Sequence, residues 1–351
     1  MDAMHFGLFV EEMRHGASQA GAFRDVFDIA DRAEAWGIDC VWLGEIHFTP
    51  TRSVISASLQ VASSIATRTR RLRVGTAVTV LPLNHPLRIA EEVATLDHIS
   101  EGRLEFGIGR SGVVRSYDTY GVPYGESQAR FREALDIIRQ AWTGEPVTYA
   151  GEFYRVAGAT VTPRPYQTPH PPIRMAATSD ETFPAAGRMG LPIFIGLRAT
   201  EIPDLQAQLT PYRQAWRDAG HPGEPSVYLR IPVYVSPTEA GAAEEPRESL
   251  MSFFARQSEL ARSAVGRAGA GPVDRRRFQA DRMASLTYED ILAKKVVFGS
   301  PTGVIERLHR LQEELGLDGI VAEPNPGGRI PLELETRSLQ LLTHEVMPAF
   351  K

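Results

Sequence analysis

Cysteine is scarce in this chain, which has one, Cys40, among its 351 residues. A single cysteine excludes an intramolecular disulfide, and its place in an apolar stretch is more typical of a buried thiol than of a nucleophile. The sequence also lacks a run of roughly 18 apolar residues and a signal-peptide pattern at its amino terminus. We therefore expect a soluble, cytoplasmic protein without a membrane partner.

An excess of basic residues is missing as well. The chain has 38 Lys and Arg against 43 Asp and Glu, which gives a net charge of −5. Without a basic surface, nucleic acid is not an expected partner. No C-x-x-C, H-E-x-x-H or Ser-His-Asp arrangement is evident, and the histidines show no metal-ligand spacing, so we expect no metal site.

Alternation of apolar strands with amphipathic helices runs along most of the chain. About eight strands separated by helices predict a closed (β/α)8 barrel with insertion segments, built as a single domain over 1–351, and an open doubly wound sheet is the alternative. The predicted strands cover 5–10, 38–44, 73–81, 104–108, 173–177, 192–196, 227–235 and 319–322.

Two segments interrupt this alternation. Residues 145–172 contain a hairpin signal around Gly151 and a cluster of prolines, which predicts an irregular excursion. Residues 263–295 begin with small residues and glycines and continue with basic ones. Such a composition packs poorly, and it indicates either a disordered surface loop or an active-site lid.

A glycine-rich loop with one arginine follows the strand at 104–108. Arg110 offers a planar fork of donors at the carboxyl end of a strand, where barrel active sites lie. We predict an anion site there, and a surface ion pair is the structural alternative. The segment from Thr178 to Thr182 follows the strand at 173–177. It has the pattern of a capping box between Thr178 and Glu181, and a helix amino terminus can also bind phosphate.

The ordered motifs of this chain resemble those of the flavin-dependent bacterial luciferase-like monooxygenases. The resemblance extends over nearly the whole chain, and it is specific through the order of the motifs rather than through any one of them. They are 41–48 (VWLGEIHF), 74–82 (VGTAVTVLP), 85–86 (HP), 96–97 (LD), 102–103 (GR), 106–110 (FGIGR), 190–192 (GLP) and 345–348 (EVMP).

The resemblance implies a flavin site. Arg110, Ser179 and Thr182 match the positions that bind the FMN phosphate, and Thr178 stands where glutamate is frequent. Ala77 and Val78 match a non-proline cis peptide behind the isoalloxazine ring. The segment 263–295 matches a mobile lid.

The chemistry implied by the resemblance is oxygenation of a small organic metabolite. Reduced FMN would react with O2 through a C4a-(hydro)peroxyflavin, with O2 as co-substrate. Because nothing in the chain resembles a nicotinamide-binding domain, a separate NAD(P)H:flavin reductase is implied. Phe6, Phe9 and Ile46, expected near the barrel mouth, suggest an apolar substrate.

The catalytic motif departs from the family pattern. The family has Glu-His-His where this chain has Glu45, Ile46 and His47, so Ile46 occupies the position of the catalytic histidine. Alternation along a strand would point Ile46 and His47 to opposite sides. His47 is then either the replacement base or a structural residue bonded to a backbone carbonyl. Gly109 stands where the luciferases have cysteine, and both departures argue against light emission.

Two other functions remain open. One is an F420-dependent dehydrogenase or reductase on the same barrel, and the other is a non-catalytic flavin-binding partner subunit. The apolar stripe of the helix at 54–68, together with the family resemblance, predicts a homodimer. The residues of that stripe are Val54, Leu59, Val61 and Ile65.

Overall fold

The computed structural model describes residues 3–11, 13–266 and 273–351, without the side chains of 273–276 and 279. The strands are β1 (His5–Val10), β2 (Cys40–Leu43), β3 (Arg73–Thr76), β4 (Thr79–Val80), β5 (Leu104–Gly109), β6 (Val147–Ala150), β7 (Arg155–Ala159), β8 (Ile173–Ala176), β9 (Ile193–Gly196), β10 (Val227–Val235), β11 (Val297–Gly299) and β12 (Gly319–Glu323). The helices are α1 (Gln19–Trp36), α2 (Ser58–Arg68), α3 (Pro86–Ile99), α4 (Val114–Tyr120), α5 (Ser127–Thr143), α6 (Thr182–Arg188), α7 (Ile202–Asp218), α8 (Glu239–Glu244), α9 (Arg247–Ser263), α10 (Val273–Ala284), α11 (Tyr288–Lys294), α12 (Pro301–Leu315) and α13 (Leu332–Leu341).

The parallel strands close into a barrel. The order around it is β1, β2, β3 with β4, β5, β8, β9, β10 and β12, and β12 pairs again with β1. That last pairing, from His5 with Gly319 to Leu8 with Ala322, excludes the open sheet. The predicted (β/α)8 barrel is confirmed. Sites in such barrels lie at the carboxyl ends of the strands, which we call the mouth.

Large side chains fill the barrel interior below the mouth. A Cβ atom added to Gly7 or Gly75 would lie 2.5 or 2.4 Å from the Trp42 ring, so glycine on both neighbouring strands makes room for this indole. Phe194 packs edge-on against Trp42 at 4.8 Å between ring centroids. Cys40 lies in the same cluster, and burial raises the pKa of its thiol well above the usual value. A ligand is therefore confined to the space above this layer.

Alternation along β1 corrects one expectation about the mouth. Phe9 belongs to the interior cluster, but Phe6 points to the helical layer and packs against Phe350 at 5.6 Å between ring centroids. The placement of Phe6 near the mouth was wrong, because residues three apart on a strand face opposite sides.

The helix predicted over 54–68 begins only at Ser58, and its apolar residues, with Val54 just before it, pack into the chain's own core. Ile65 is fully buried and Val61 nearly so, while Leu59 and Val54 are partly buried against the same cluster. The stripe therefore offers no spare apolar face to a second subunit. The homodimer stays a prediction that rests on the family resemblance.

The structure agrees with the sequence prediction for one insertion segment and differs from it in part for the other. β6 and β7 form the antiparallel hairpin predicted within 145–172. In the segment 263–295, residues 267–272 lie outside the described residues. The described helices α10 and α11 pack against α9 through an apolar cluster that includes Met283, Ile291 and Phe253, so the expectation of poor packing is wrong for this part. The lid stays a prediction. Within the described residues, no helix has the length and apolar character needed to cross a membrane.

Candidate active site

An extra residue distorts the barrel wall between β3 and β4. Gly75 pairs with Glu105 and Thr79 pairs with Ile108, so the three residues 76–78 face only the two residues 106–107. The peptide bond between Ala77 and Val78 within this bulge is cis, which confirms the geometry that the family resemblance implied. Both residues pack on the interior cluster, which places the bulge on the floor of the mouth. Their contact with a flavin stays a prediction.

Glycines let three strand ends come together at the bulge. A Cβ on Gly107 would lie 1.8 Å from the carbonyl oxygen of Thr76, and the Thr76 hydroxyl donates to the Gly107 carbonyl at 2.7 Å. A Cβ on Gly109 would lie 2.5 Å from Val78 Cγ2 and 3.5 Å from Ala176 Cβ. The Val78 side chain thus occupies the space that a cysteine at position 109 would need.

Arg110 follows β5 at the mouth. One of its terminal nitrogens donates to the Ser127 hydroxyl at 3.4 Å, and its backbone carbonyl accepts from the Tyr117 hydroxyl. The described residues place no carboxylate in ion-pair range of its guanidinium, which argues against the surface ion pair. A partly exposed arginine with unused donors in a tight loop can bind a phosphate or carboxylate.

The hydroxyl residues after β8 lie beside this loop. β5 and β8 pair in parallel through Ile108 and Met175, so the loops at their carboxyl ends are neighbours. The hydroxyls of Ser179 and Thr182 lie 2.8 Å apart. Thr178 is exposed.

The predicted capping box between Thr178 and Glu181 is wrong. α6 begins only at Thr182, and Glu181 precedes it without a side-chain cap. The hydroxyl groups of Ser179 and Thr182 do not cap α6, so they remain available to a ligand.

Glu45 and His47 form a hydrogen-bonded pair after β2. Glu45 Oε1 lies 3.0 Å from His47 Nε2, and the Tyr120 hydroxyl lies 3.3 Å from His47 Nδ1. β2 ends at Leu43, so strand alternation does not extend to these residues. Ile46 is half-buried between them, and its amide donates to the carbonyl of Ile55 at 2.9 Å. Both imidazole nitrogens have side-chain partners, which disfavours the structural role bonded to a backbone carbonyl.

Tyr120 was missed by the sequence reasoning because no helix was expected between β5 and α5. It ends α4, directly after the glycine-rich loop, and its side chain is 48% exposed. The seven-residue helix is too short for a periodic signal. The signal available in the sequence was the short loop between β5 and α4, which keeps the residues of α4 close to the mouth.

Five charged side chains across the mouth were also missed. They form a chain of ion pairs in the order Arg52, Glu11, Arg230, Glu323 and Arg198, which we call the charge ladder. The Nε of Arg230 lies 2.8 Å from Glu323, and one terminal nitrogen of the same guanidinium lies 3.4 Å from Glu11. Burial raises the pKa of Glu11, but the facing arginines, Arg52 foremost, outweigh it and lower the value to about 2. Charged residues at the ends of β1, β9 and β12 were the available signal.

Comparison with known proteins agrees with this geometry. Residues 4–319 match the family model described as luciferase-like monooxygenase. The oxygenase component of a flavin-dependent trigonelline monooxygenase from Acinetobacter baylyi is 28% identical over 99% of this chain and 96% of that protein. An F420-dependent glucose-6-phosphate dehydrogenase from Kineococcus radiotolerans is 38% identical, but over 46% of this chain and only 49% of its own length.

A solved structure shows the same fold over its full length. The oxygenating constituent of 3,6-diketocamphane monooxygenase from Pseudomonas putida, in complex with FMN, has a TM-score of 0.83 and 22% identity, with 99% of both chains covered. The barrel and the match over residues 4–319 together identify this chain as a member of the luciferase-like monooxygenase family.

Proposed function

We propose that the protein is the oxygenase component of a two-component monooxygenase, which uses reduced FMN and O2 to oxygenate a small organic metabolite. The observation that supports it most directly is that three features meet at one side of the mouth. They are the bulge at Ala77 and Val78, the glycine contacts, and Arg110, which has no carboxylate partner among the described residues. Reduced FMN would supply the two electrons that activate O2. The tasks left to the chain are to hold the flavin, to exclude water and to place protons.

The donor set fits a flavin phosphate. Arg110 would bind it through its fork, and the hydroxyls of Ser179 and Thr182 would complete the site from the neighbouring loop. Ala77 and Val78 would support the ring system from the floor of the mouth. Thr178, which is exposed, could contribute from the edge.

A relay of three side chains lies beside this floor. An ionised Glu45 can only accept, so the proton of His47 resides on Nε2, and Nδ1 accepts from the Tyr120 hydroxyl. A proton can therefore reach His47 Nδ1 by way of Tyr120, whose hydroxyl is the exposed end of the relay. We infer that the relay adjusts protonation at the mouth, whereas Ile46 contributes only apolar surface.

The electrons would come from a separate NAD(P)H:flavin reductase. Gly107, Gly109 and Gly112 have the G-x-G-x-x-G spacing of a dinucleotide-binding loop. In the barrel, however, the first two glycines serve close contacts with Thr76 and Val78, and the α4 that follows has only seven residues.

F420-dependent hydride transfer is the second candidate, because an F420-dependent dehydrogenase is 38% identical over nearly half of this chain. The two candidates differ in their need for O2. We expect oxygenated product with reduced FMN and O2, and none with reduced F420. If neither oxygenated product nor oxidation of reduced F420 is found over a broad set of substrates, the non-catalytic flavin-binding subunit is left.

The phosphate site is tested by titrating FMN and riboflavin into Arg110→Ala. Loss of charge-assisted hydrogen bonds costs about 1.5–3 kcal/mol, so we expect FMN to bind roughly 10- to 100-fold more weakly. Riboflavin, which has no phosphate, should bind as it does to the unaltered protein. Arg115→Ala, an exposed arginine of α4, is the matched control. Unchanged FMN affinity in Arg110→Ala would remove the basis of the proposed cofactor site.

A further inference from the structure

Phe48 has a backbone conformation that its side chain disfavours. Its φ is +55°, in the left-handed region, which a residue with a bulky side chain rarely adopts and glycine adopts freely. Burial does not account for the phenylalanine either, because the residue is 39% exposed and the core clusters of the described residues do not include it. Its ring contacts are therefore the feature that accounts for a phenylalanine at this position.

The Phe48 ring contacts two members of the relay. Its centroid lies 5.1 Å from that of Tyr120 and 5.8 Å from that of His47. The Tyr120 and His47 rings meet edge-on, with 5.3 Å between their centroids. Aromatic pairs stabilise each other at such distances. Phe48 is the one of these three rings that has no polar atom, so its contribution to the group is packing.

The buried end of the relay is held by the barrel wall. The side chains of Glu45 and His47 are 7% and 11% exposed, and Glu45 Oε1 lies 3.0 Å from His47 Nε2. The other carboxylate oxygen of Glu45 accepts from the backbone N–H of Val80 on β4 at 3.4 Å. The imidazole is therefore tied through Glu45 to the barrel wall, without help from Phe48.

The exposed end of the relay is held by fewer contacts. Tyr120 is the last residue of α4 and is 48% exposed. Among the described residues, its hydroxyl has one hydrogen-bond partner, His47 Nδ1 at 3.3 Å, and its ring has two aromatic neighbours, His47 and Phe48. Exposed side chains change rotamer rapidly unless packing restrains them. The orientation of the Tyr120 hydroxyl therefore depends on the Phe48 ring.

We propose that Phe48 is a positioning residue of the relay, and that its ring holds the Tyr120 hydroxyl against His47 Nδ1. The inference rests on the proposed function, in which the relay adjusts protonation at the mouth, and it names the residue that keeps the relay connected.

The turn that carries Phe48 has hydrogen bonds of its own. The Thr49 hydroxyl donates to the His47 carbonyl at 3.1 Å, and the Thr49 carbonyl accepts from the Arg52 amide at 2.9 Å. Glycine also tolerates the left-handed φ of this position. Phe48→Gly should therefore keep the turn and remove only the ring.

The first test compares the reactivity of two tyrosines in the full chain without flavin. N-acetylimidazole acetylates free tyrosine hydroxyls, and peptide mass spectrometry measures the rate at each site. Tyr120 and Tyr166 are similarly exposed, at 48% and 54%, but Tyr166 lies against Gly102, ahead of β5 and away from the mouth. An aromatic pair shifts an equilibrium by roughly 2- to 10-fold, so Phe48→Gly should speed acetylation of Tyr120 by that factor and leave Tyr166 unchanged.

Three further variants separate the ring from other effects. Phe48→Tyr keeps an aromatic ring and should retain the slow rate at Tyr120. Phe48→Leu keeps apolar volume without the ring and should give an intermediate rate, which decides the matter if Phe48→Gly does not fold. Phe23→Ala removes another exposed phenylalanine, on α1, and should change the rate at neither tyrosine.

The second test observes the hydrogen bond itself. The nitrogen NMR signal of His47 Nδ1 reports whether this atom accepts a hydrogen bond, and His47→Gln identifies the signal by its loss. Tyr120→Phe removes the donor and should shift the signal. Phe48→Gly should shift it in the same direction, and the double variant should show the shift of Tyr120→Phe with nothing added.

Three results would overturn the inference: an unchanged acetylation rate at Tyr120 in Phe48→Gly and Phe48→Leu, an equal acceleration at Tyr166, or a Phe48→Gly shift that adds in full to that of Tyr120→Phe. The last would show that Phe48 acts on His47 directly. Neither measurement uses flavin or substrate. A hydrogen bond that behaves as expected while reduced FMN and O2 give no oxygenated product would therefore refute the proposed function and leave this inference standing.

Discussion

The substitution Gly109→Ala should destabilise the fold at the mouth, and the additional substitution Val78→Ala should restore its stability. The Cβ of Gly109→Ala would lie 2.5 Å from Val78 Cγ2, whereas ordinary contacts begin at 3.4 Å. Val78 must then move by about 1 Å, and a β-branched side chain has few other rotamers to adopt. Gly109 does not have a positive φ, so the cost of Gly109→Ala is steric and not conformational.

The magnitude follows from overpacking. Extra carbon atoms in a well-packed region typically cost about 1–3 kcal/mol, so we expect Gly109→Ala to lower the free energy of unfolding by that amount. Val78→Ala alone should cost about 1 kcal/mol, because Val78 is only partly buried. In the double variant the new methyl group enters the vacated space. We expect a coupling free energy of at least about 1 kcal/mol between the two positions.

Two other glycines serve as matched controls. A Cβ on Gly107 would lie 1.8 Å from a backbone oxygen, so Gly107→Ala should be strongly destabilising and Val78→Ala should not rescue it. A Cβ on Gly112 would meet nothing within 4 Å, so Gly112→Ala should be neutral or stabilising by up to about 1 kcal/mol.

The assay is urea unfolding of each variant, together with FMN titration. Since Val78 lies in the predicted flavin floor, FMN affinity should fall in Gly109→Ala and recover in the double variant. Additive free energies in the two single variants and the double variant would refute the account of how β4, β5 and β8 meet.

Further predictions concern charge, protons and the insertion. The pKa of Glu11 is lowered from 4.5 to about 2 in the folded state, so its contribution is present above pH 4.5 and is lost as pH falls toward 2, by at most about 3 kcal/mol; equal urea midpoints at pH 6 and pH 3 would contradict this. If His47 acts through the Tyr120 relay rather than as an indispensable base, His47→Ala should lower kcat by less than about 100-fold, and Ile46→His should not raise it; steady-state kinetics that show a larger loss would make His47 the catalyst. Glu201 accepts from the buried Lys295 at 2.8 Å and pairs with Arg282 at 2.6 Å, so Glu201→Gln should speed limited proteolysis within 263–295, and an unchanged cleavage rate would exclude this anchor. The predicted homodimer should give twice the mass of one chain in light scattering at micromolar concentration, and a single-chain mass would exclude it.

Local sequence patterns determined the barrel and part of the site. Strand and helix periodicity depends on neighbours a few positions apart, so the alternation of apolar strands with amphipathic helices was readable without coordinates. The glycine-rich loop with Arg110 was readable for the same reason, because loop, glycines and cation lie within six residues at the end of one strand. The cis bond at Ala77 and Val78 came only from the family resemblance, since the residues themselves are ordinary for a strand.

The tertiary structure decided which side chains meet. Arg230 contacts Glu11 across 219 positions, and Arg198 contacts Glu323 across 125, so no local pattern could pair them. The sequence predicted that the apolar stripe of the second helix was free for dimerisation, but the chain's own core buries it. The one-residue bulge at 76–78 depends on the register between β3, β4 and β5. Closing the barrel brings distant strand ends to one mouth, and this closure, rather than any local propensity, creates the charge ladder.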